Sequence, residues 1–190
     1  PTHGTGVLGN AVTSSTATGA LANNAMAGPF KDIKSFSIRI WGKQTSNLAA
    51  DTRFRLADVT NDQSFWLQMP GAGGQFSIRV IDSVAGGVNS LFSSGVSVTN
   101  NVWQHIGFSW DNVTHTLKMY VNGDLAITEV LTVAAGFGKT VTIAGTWEVQ
   151  ALTLRSNLLW DQLNISDIVE PLSTFQQWYN GGAGFDPTNI

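Results

Sequence analysis

The amino-acid sequence predicts an all-β protein, a sandwich of two antiparallel sheets. Short segments in which apolar and polar residues alternate recur along most of the 190-residue chain, and residues typical of turns separate them. Residues 102–130, read VWQHIGFSWDNVTHTLKMYVNGDLAITEV, contain three such segments in a row with both of their turns. About twelve strands are expected at this spacing, and no longer sequence period repeats, which argues against a propeller or a solenoid.

The first 29 residues differ from the rest in composition. They contain no Asp, Glu, Lys or Arg and consist largely of Gly, Ala, Thr, Ser and Asn, before Gly28-Pro29 forms a turn. We expect residues 1–29 either to supply the first strand and loops of the sandwich or to be an arm that docks on another subunit by strand addition. Residues 30–190 are assigned to one sandwich domain, which at this length needs no disulfide to be stable.

Regular alternation begins at Ser35 and assigns one face of each strand to the core. A large apolar side chain on that face contributes roughly 1.5 to 3 kcal/mol when it is fully buried. The predicted core residues are Phe36, Ile38, Ile40, Phe54, Leu56, Phe65, Leu67, Met69, Phe76, Ile78, Val80, Ile106, Phe108, Trp110, Leu117, Met119 and Val121.

Three further strands and a short helix are predicted toward the C-terminus. The strands are expected around Val141 and Ile143, around Leu152 and Leu154, and over residues 158–165. One or two helical turns are expected over residues 173–180, with Ser173 as the N-cap and Gly181 or Gly182 at the end.

Local chemistry specifies both turns within residues 102–130. Asn122-Gly123 tolerates the positive φ angles of a type I′ hairpin turn, and Asp111-Asn112 supplies turn-forming side chains to the preceding connection. The register of the three strands is therefore fixed locally.

The same stretch resembles the laminin-G type of concanavalin A-like jelly rolls, in which a Trp-x-His strand precedes a strand ending in Tyr-Val-Asn-Gly. Those residues here are Trp103, His105, Tyr120, Val121, Asn122 and Gly123. Residues 160–165 stand where such domains have a strand beginning with an Ile-Asp pair, and residues 172–179 where they have a short closing helix. The resemblance covers residues 35–180 and implies a jelly roll in which His105 is structural; a solvent-facing hydrogen-bond donor is the alternative.

The sequence does not predict an enzyme. The glucanase branch of the superfamily uses paired glutamates about 5 Å apart, whereas Glu129, Glu148 and Glu170 have no carboxylate two residues away and fall on different predicted elements. The polysaccharide-lyase branch uses a Gln-x-His strand, whereas Gln104 and His105 are adjacent. A polysaccharide hydrolase or lyase therefore lacks its residues.

No cofactor is expected, and calcium is the one metal with a candidate ligand. The chain has no cysteine, and no histidine cluster has metal-ligand spacing. Alternation places Asp161 on the inward face, where a carboxylate must be paired or hydrogen-bonded, so it either caps loop amides or binds Ca²⁺, as several laminin-G-like domains do. Asp58 and Asp62 are further candidates, but nothing in the sequence brings them to Asp161.

The best candidate for a ligand site is the mixed face of the strands, which points away from the core. Trp and Arg side chains stack on rings, bind carboxylates and dominate protein interfaces. The candidate ligand-binding residues are Arg39, Trp41, Arg53, Arg55, Trp66, Gln68 and Arg79. The alternative is that these strands are not neighbours and that residues 1–29 cover the tryptophan rings.

Composition limits the partners. Only 12% of the residues are charged and the net charge is −3, which speaks against nucleic acid because phosphate recognition needs clustered Lys and Arg. No apolar run reaches the roughly 20 residues of a membrane-spanning helix.

Two functions remain, and both place the protein on a virion surface or outside cells. The first is a virion decoration protein that binds other subunits as a homo-oligomer and touches host glycans. It is favoured by the uncharged residues 1–29 and by a start at Pro1, which fits removal of an initiator Met. The second is a secreted glycan-binding lectin or adhesin module, favoured by the fold and the Trp/Arg face.

Overall fold

The computed structural model describes residues 2–5, 10–14, 35–44, 52–58, 63–70, 73–82, 88–131, 147–153 and 158–184. These ranges contain twelve strands, followed by one α-helix and a 3-10 turn at Asn180–Gly182. The elements are β1 (Thr2–Thr5), β2 (Asn10–Ser14), β3 (Phe36–Gln44), β4 (Thr52–Asp58), β5 (Gln63–Met69), β6 (Gln75–Asp82), β7 (Val88–Ser97), β8 (Gln104–Asp111), β9 (Thr116–Val121), β10 (Asp124–Val130), β11 (Trp147–Thr153), β12 (Leu158–Ser166) and α1 (Leu172–Tyr179).

The strands form two antiparallel sheets, which confirms the predicted sandwich. The seven-stranded sheet has the order β1-β2-β12-β3-β8-β9-β10, and the five-stranded sheet has the order β11-β4-β5-β6-β7. β12, near the C-terminus, pairs with β3 and with β2, so the two ends of the chain meet in one sheet.

The core lies between the inner faces of the two sheets, where the alternation placed it. The predicted core residues on β3, β5, β6, β8 and β9 are all buried. Phe54 and Leu56 stand opposite Leu67 and Phe65 in the β4–β5 register, on the same side of the sheet. Phe65 of the five-stranded sheet meets Phe36 of the other sheet edge-to-face, with ring centroids 5.1 Å apart. Such aromatic contacts fix how the sheets stack.

The β9–β10 hairpin has the predicted type I′ turn. Val121 pairs with Asp124, and the two residues between them have positive φ, 51° at Asn122 and 82° at Gly123. Asp111 also acts as predicted, because its carboxylate accepts hydrogen bonds from the Val113 N–H (2.9 Å) and the Thr114 hydroxyl (2.8 Å) in the turn before β9.

The N-terminal strands β1 and β2 extend the chain's own seven-stranded sheet, β2 through its pairing with β12. The rest of residues 1–29 lies outside the described residues. So do Val141, Ile143 and Leu154, on which two of the strand predictions rested, while Leu152 is part of β11.

Helix α1 begins one residue earlier than predicted and has a different cap. Its N-cap is Pro171, which makes no side-chain capping bond, rather than Ser173. The helix ends where Asn180 adopts the left-handed conformation, before Gly181 and Gly182. Within the described residues, no helix is long and apolar enough to cross a membrane.

Candidate functional site

Helix α1 covers the outer face of the seven-stranded sheet. Phe175 is fully buried, and its ring stacks on that of Tyr120 with centroids 3.7 Å apart. A Cβ atom on Gly107 would lie 2.6 Å from the Ile38 carbonyl oxygen and 2.6 Å from the Phe175 ring. Only glycine at this position allows the helix to approach the sheet so closely.

Beneath the helix lies a buried ion pair. The Arg39 guanidinium pairs through Nη1 with Oε2 of Glu170, donates from Nη2 to Oδ1 of Asn164 at 2.6 Å, and lies 4.2 Å from the Trp178 ring centroid. Burial lowers the pKa of Arg39 and raises that of Glu170, while their attraction opposes both changes. A charged pair held under a helix in this way is structural, because a ligand cannot reach it without displacing α1.

Trp41 and His105 lie beside this ion pair and are both fully buried. The Trp41 ring stacks on Tyr179 with centroids 5.8 Å apart, and the His105 ring lies 5.2 Å from Trp41 and 6.5 Å from Tyr179. Burial, assisted by the nearby positive charge of Arg39, lowers the pKa of His105 from 6.5 to about 3. His105 is therefore neutral near pH 7 and serves as a packing residue.

The Trp-x-His and Tyr-Val-Asn-Gly motifs meet directly at this place. The His105 backbone N–H donates to Oδ1 of Asn122 at 3.0 Å, and the Asn122 N–H donates to the His105 carbonyl at 2.7 Å. A Cβ atom on Gly123 would lie 2.9 Å from the Tyr179 ring. The motifs thus build the hairpin on which the end of α1 rests.

These observations correct the predicted ligand face for two of its seven residues. Arg39 and Trp41 do point away from the core, but they belong to the seven-stranded sheet and are 3% and 0% exposed. Tyr179, at the end of helix α1, stacks on the Trp41 ring. The prediction that they share a surface with the other five residues is wrong, because alternation along β3 cannot tell which sheet the strand joins.

The other five residues occupy one surface, the outer side of the five-stranded sheet. Cross-strand pairing aligns Arg55, Trp66, Arg79 and Leu91 in one row, and Arg53, Gln68, Ser77 and Ser93 in the next. We call this surface the Trp66 face, defined by Arg53, Arg55, Ser64, Trp66, Gln68, Ser77, Arg79 and Leu91. Directly paired residues have Cβ atoms about 5 Å apart, so the strand register brings these positions together.

Local contacts orient the side chains of the Trp66 face. The Trp66 indole Nε1 donates to the Ser64 hydroxyl at 2.7 Å, and the Arg79 guanidinium lies 5.7 Å from the Trp66 ring centroid. The Ser77 hydroxyl donates to Oε1 of Gln68 at 3.2 Å. Trp66 and Arg79 are partly exposed, and Leu91 at the end of the row is 59% exposed. The result is a partly exposed aromatic ring beside a guanidinium, whereas Ser64, Gln68 and Ser77 around them are themselves buried.

The glutamates that could serve a hydrolase lie apart. Glu129 is on exposed β10, Glu148 is on β11 of the other sheet, and Glu170 is bound to Arg39 after β12. Retaining glycosidases need two carboxylates about 5 Å apart. The arrangement of these three residues therefore provides no such pair.

The inward placement predicted for Asp161 is wrong. The β12–β3 register shifts between Asp161 and Asn164, where Gln162 has a φ of 50°. Asp161 pairs with Trp41 and shares its outer side, and its Oδ1 accepts the Gln162 N–H at 2.9 Å. Asp58 is on β4 of the opposite sheet, and Asp62 lies outside the described residues. Among the side chains that the structure describes, no three His, Cys, Asp or Glu residues form a group suited to a metal ion.

The architecture defines a lectin-like jelly-roll sandwich. The model of the concanavalin A-like lectin/glucanases superfamily, laminin-G type, matches residues 11–159, and the chain belongs to this family. The predicted resemblance is thereby confirmed. No protein with a curated description matches the chain.

Solved structures share the fold at low sequence identity. Domain 4 of AbnA, a GH43 extracellular arabinanase from Geobacillus stearothermophilus in complex with arabinotriose, has a TM-score of 0.67 at 18% identity, with 92% of this chain and 79% of that chain covered. A heptameric SAP-like pentraxin from Limulus polyphemus has a TM-score of 0.63 at 13% identity, with 87% and 78% covered. The CBM40 domain of an IT-sialidase from Ruminococcus gnavus has a TM-score of 0.59 at 12% identity, with 87% and 94% covered.

Proposed function

We propose that the protein is a non-enzymatic binding module that holds a sugar on the Trp66 face. The observation that supports this is the partly exposed Trp66 ring, oriented by its hydrogen bond to Ser64 and flanked by Arg79. A fixed, partly exposed indole offers an apolar plane to the C–H face of a sugar ring. Arg79 then provides polar groups at the edge of that plane for hydroxyl groups.

The family and its structural relatives also support a binding role. One similar structure was solved with arabinotriose and another is a CBM40 domain, so the fold carries sugar-binding proteins. On the outer side of the other sheet, the surface around Arg39 and Trp41 is closed, because α1 lies over the Arg39–Glu170 pair and Tyr179 stacks on Trp41. The Trp66 face is therefore the surface that we assign to the ligand.

The proposal is tested by screening the protein on an oligosaccharide array and measuring the affinity of the strongest ligand by calorimetry. Trp66→Ala should weaken binding by at least tenfold, and Trp66→Phe, which keeps an aromatic plane, should weaken it less. Leu163→Ala removes a 44% exposed apolar side chain from the other sheet and is the matched control, with unchanged affinity. Equal affinities of Trp66→Ala and the unaltered protein, or no ligand on the array, would contradict the proposal.

We further propose that the module acts at an exterior surface, as a virion decoration protein or a secreted adhesin, and that it is a homo-oligomer. The absence of charge in residues 1–29 and the position of β1 at the end of its sheet support a contact by strand addition. One similar structure is heptameric. A contact that uses no charged residue should be insensitive to salt.

Light scattering after size exclusion tests this assembly. We expect an oligomer that stays associated in 1 M salt and becomes monomeric when residues 1–5 are deleted. The circular dichroism spectrum of the deletion variant shows whether it is still folded. An intact protein that is monomeric, or an oligomer that dissociates as salt rises, would contradict the proposal.

A further inference from the structure

The chain contains two Asn-Gly dipeptides, Asn122-Gly123 and Asn180-Gly181. In an Asn-Gly sequence the backbone nitrogen of the glycine can attack the side chain of the asparagine, because glycine has no Cβ atom to hinder the approach or to restrict the backbone. In a folded protein the reaction also depends on how firmly the side chain and the glycine are held. The two dipeptides differ in this respect.

Asn122-Gly123 is held on both sides. Oδ1 of Asn122 accepts the His105 backbone N–H at 3.0 Å, and the Asn122 N–H donates to the His105 carbonyl at 2.7 Å. Gly123 is buried, and a Cβ atom there would lie 2.9 Å from the Tyr179 ring. Rotation of the Asn122 side chain toward the Gly123 nitrogen would therefore break a hydrogen bond beneath a closely packed ring.

Asn180-Gly181, at the end of α1, is open. Both residues are exposed. A Cβ atom on Gly181 would meet no heavy atom within 4 Å among the described residues, its chain neighbours apart. The Asn180 side chain donates from Nδ2 to the Gly184 carbonyl at 3.1 Å, a contact within the same short turn. The space that the reaction needs is therefore present at Gly181.

We infer that Asn180 is a site of spontaneous deamidation and isoaspartate formation, and that this modification loosens the end of α1. The Gly181 nitrogen loses its proton and forms a bond to Cγ of Asn180, and the side-chain amide leaves as ammonia. Water then opens the resulting succinimide ring at either carbonyl, which gives aspartate or isoaspartate. The net reaction consumes water and releases ammonia, without an oxidant or a reductant.

The products should disturb the packing of Tyr179, the residue before Asn180. Either product replaces the amide that donates to Gly184 with a carboxylate, and a negative charge at the C-terminus of a helix is unfavourable. Isoaspartate also adds a methylene group to the main chain at the position where Asn180 ends the helix in the left-handed conformation.

The Trp41 indole reports on this packing. Tyr179 stacks on the Trp41 ring, whose Nε1 is buried without a hydrogen-bond partner among the described residues. Burial rather than hydrogen bonding therefore protects this N–H from exchange with deuterium. A looser Tyr179 should make the exchange faster.

The test incubates the full-length protein at pH 8.5 and follows both dipeptides by peptide mapping with mass spectrometry. We expect Asn180 to lose its amide at least about tenfold faster than Asn122, because reaction at Asn122 must first break a hydrogen bond. The rate at Asn180 should rise with pH, because the attacking nitrogen must lose a proton. An isoaspartyl methyltransferase labels the isoaspartate product. In urea the two sites should react at similar rates, which would show that the fold sets the difference.

Variants link the modification to the helix end. In aged protein the Trp41 indole N–H should exchange at least about threefold faster than in fresh protein. Asn180→Gln, whose longer side chain closes the ring far more slowly, should keep its initial exchange rate on ageing. Asn180→Asp carries the charge without the altered main chain and should show a smaller increase.

Two results would overturn the inference at the site itself: equal modification of Asn122 and Asn180 in the folded protein, or an Asn180 amide that persists while the chain in urea is converted. Modified protein in which exchange of the Trp41 indole N–H is unchanged would overturn the loosening of α1.

Discussion

The two outer faces of the sandwich both bring an arginine to a tryptophan, and the two pairs have opposite surroundings. On the seven-stranded sheet the Arg39 guanidinium lies 4.2 Å from the Trp178 ring and is 3% exposed under α1. On the five-stranded sheet the Arg79 guanidinium lies 5.7 Å from Trp66 and both side chains remain partly exposed. The first pair is thus buried beneath α1, whereas Trp66 and Arg79 of the second pair are partly exposed.

Removing a tryptophan from each outer face should give the largest contrast. Trp41→Ala should lower the free energy of unfolding by about 3 to 5 kcal/mol, because it opens a cavity next to Tyr179 and His105. Trp66→Ala should lower it by less, about 1 to 2 kcal/mol, because the ring is partly exposed and its loss costs one hydrogen bond. Urea unfolding of both variants measures the difference. Equal losses would show that Trp66 is a core residue and that the contrast between the faces is false.

Breaking the buried ion pair should have a slightly smaller effect. Glu170→Ala leaves the Arg39 charge without its partner under the helix and should cost about 3 kcal/mol. Glu129→Ala removes an exposed carboxylate from β10 and, as the matched control, should cost less than about 0.5 kcal/mol. If urea unfolding shows that Glu170→Ala costs no more stability than this control, helix α1 does not keep the Arg39–Glu170 pair away from water.

Burial of His105 should make the free energy of unfolding depend on pH. An unfolded chain binds a proton on His105 below about pH 6.5, whereas the folded protein does not until about pH 3. The contribution of neutral His105 to the free energy of unfolding is therefore complete above pH 6.5. It is lost as the pH falls toward 3, at up to about 1.4 kcal/mol per pH unit. Glu170, whose pKa is raised by burial, contributes with the opposite sign, because its folded form holds a proton more strongly than the unfolded chain does.

His105→Phe keeps an aromatic ring next to Trp41 and Tyr179 and removes the titrating group. Its unfolding free energy should depend on pH less steeply than that of the unaltered protein between pH 6.5 and 4. A parallel decline in the variant and the unaltered protein would show that His105 is not protected from protonation.

The sequence predicted the core and the hairpin because both depend on local rules. Period-two alternation assigns Phe36, Phe65 and Phe108 to the inner side of their strands, and the Asn122-Gly123 pair specifies its turn. These rules need no knowledge of distant residues. The strands and core from β3 to β10 followed from them almost completely.

The candidate site was only partly predictable because it depends on contacts between distant parts of the chain. Alternation correctly turned Trp41 and Trp66 away from the core, but it could not reveal that β3 and β5 belong to different sheets. Neither could it show that Tyr179, 138 residues along the chain from Trp41, would cover one of the two rings. The prediction for Asp161 failed because Gln162 adopts the left-handed conformation. The register shifts there, so the alternation of inward and outward residues does not continue through this part of β12.

The most direct test of the different roles of the two faces is an NMR titration that follows the tryptophan indole N–H signals while the strongest oligosaccharide is added. Trp66→Phe and Trp41→Phe assign the two signals by removing one each. We expect the Trp66 signal to shift in proportion to the bound fraction while the Trp41 signal stays in place. A shift of the Trp41 signal with an unmoved Trp66 signal would contradict it, because the ligand would then bind at the face that α1 closes.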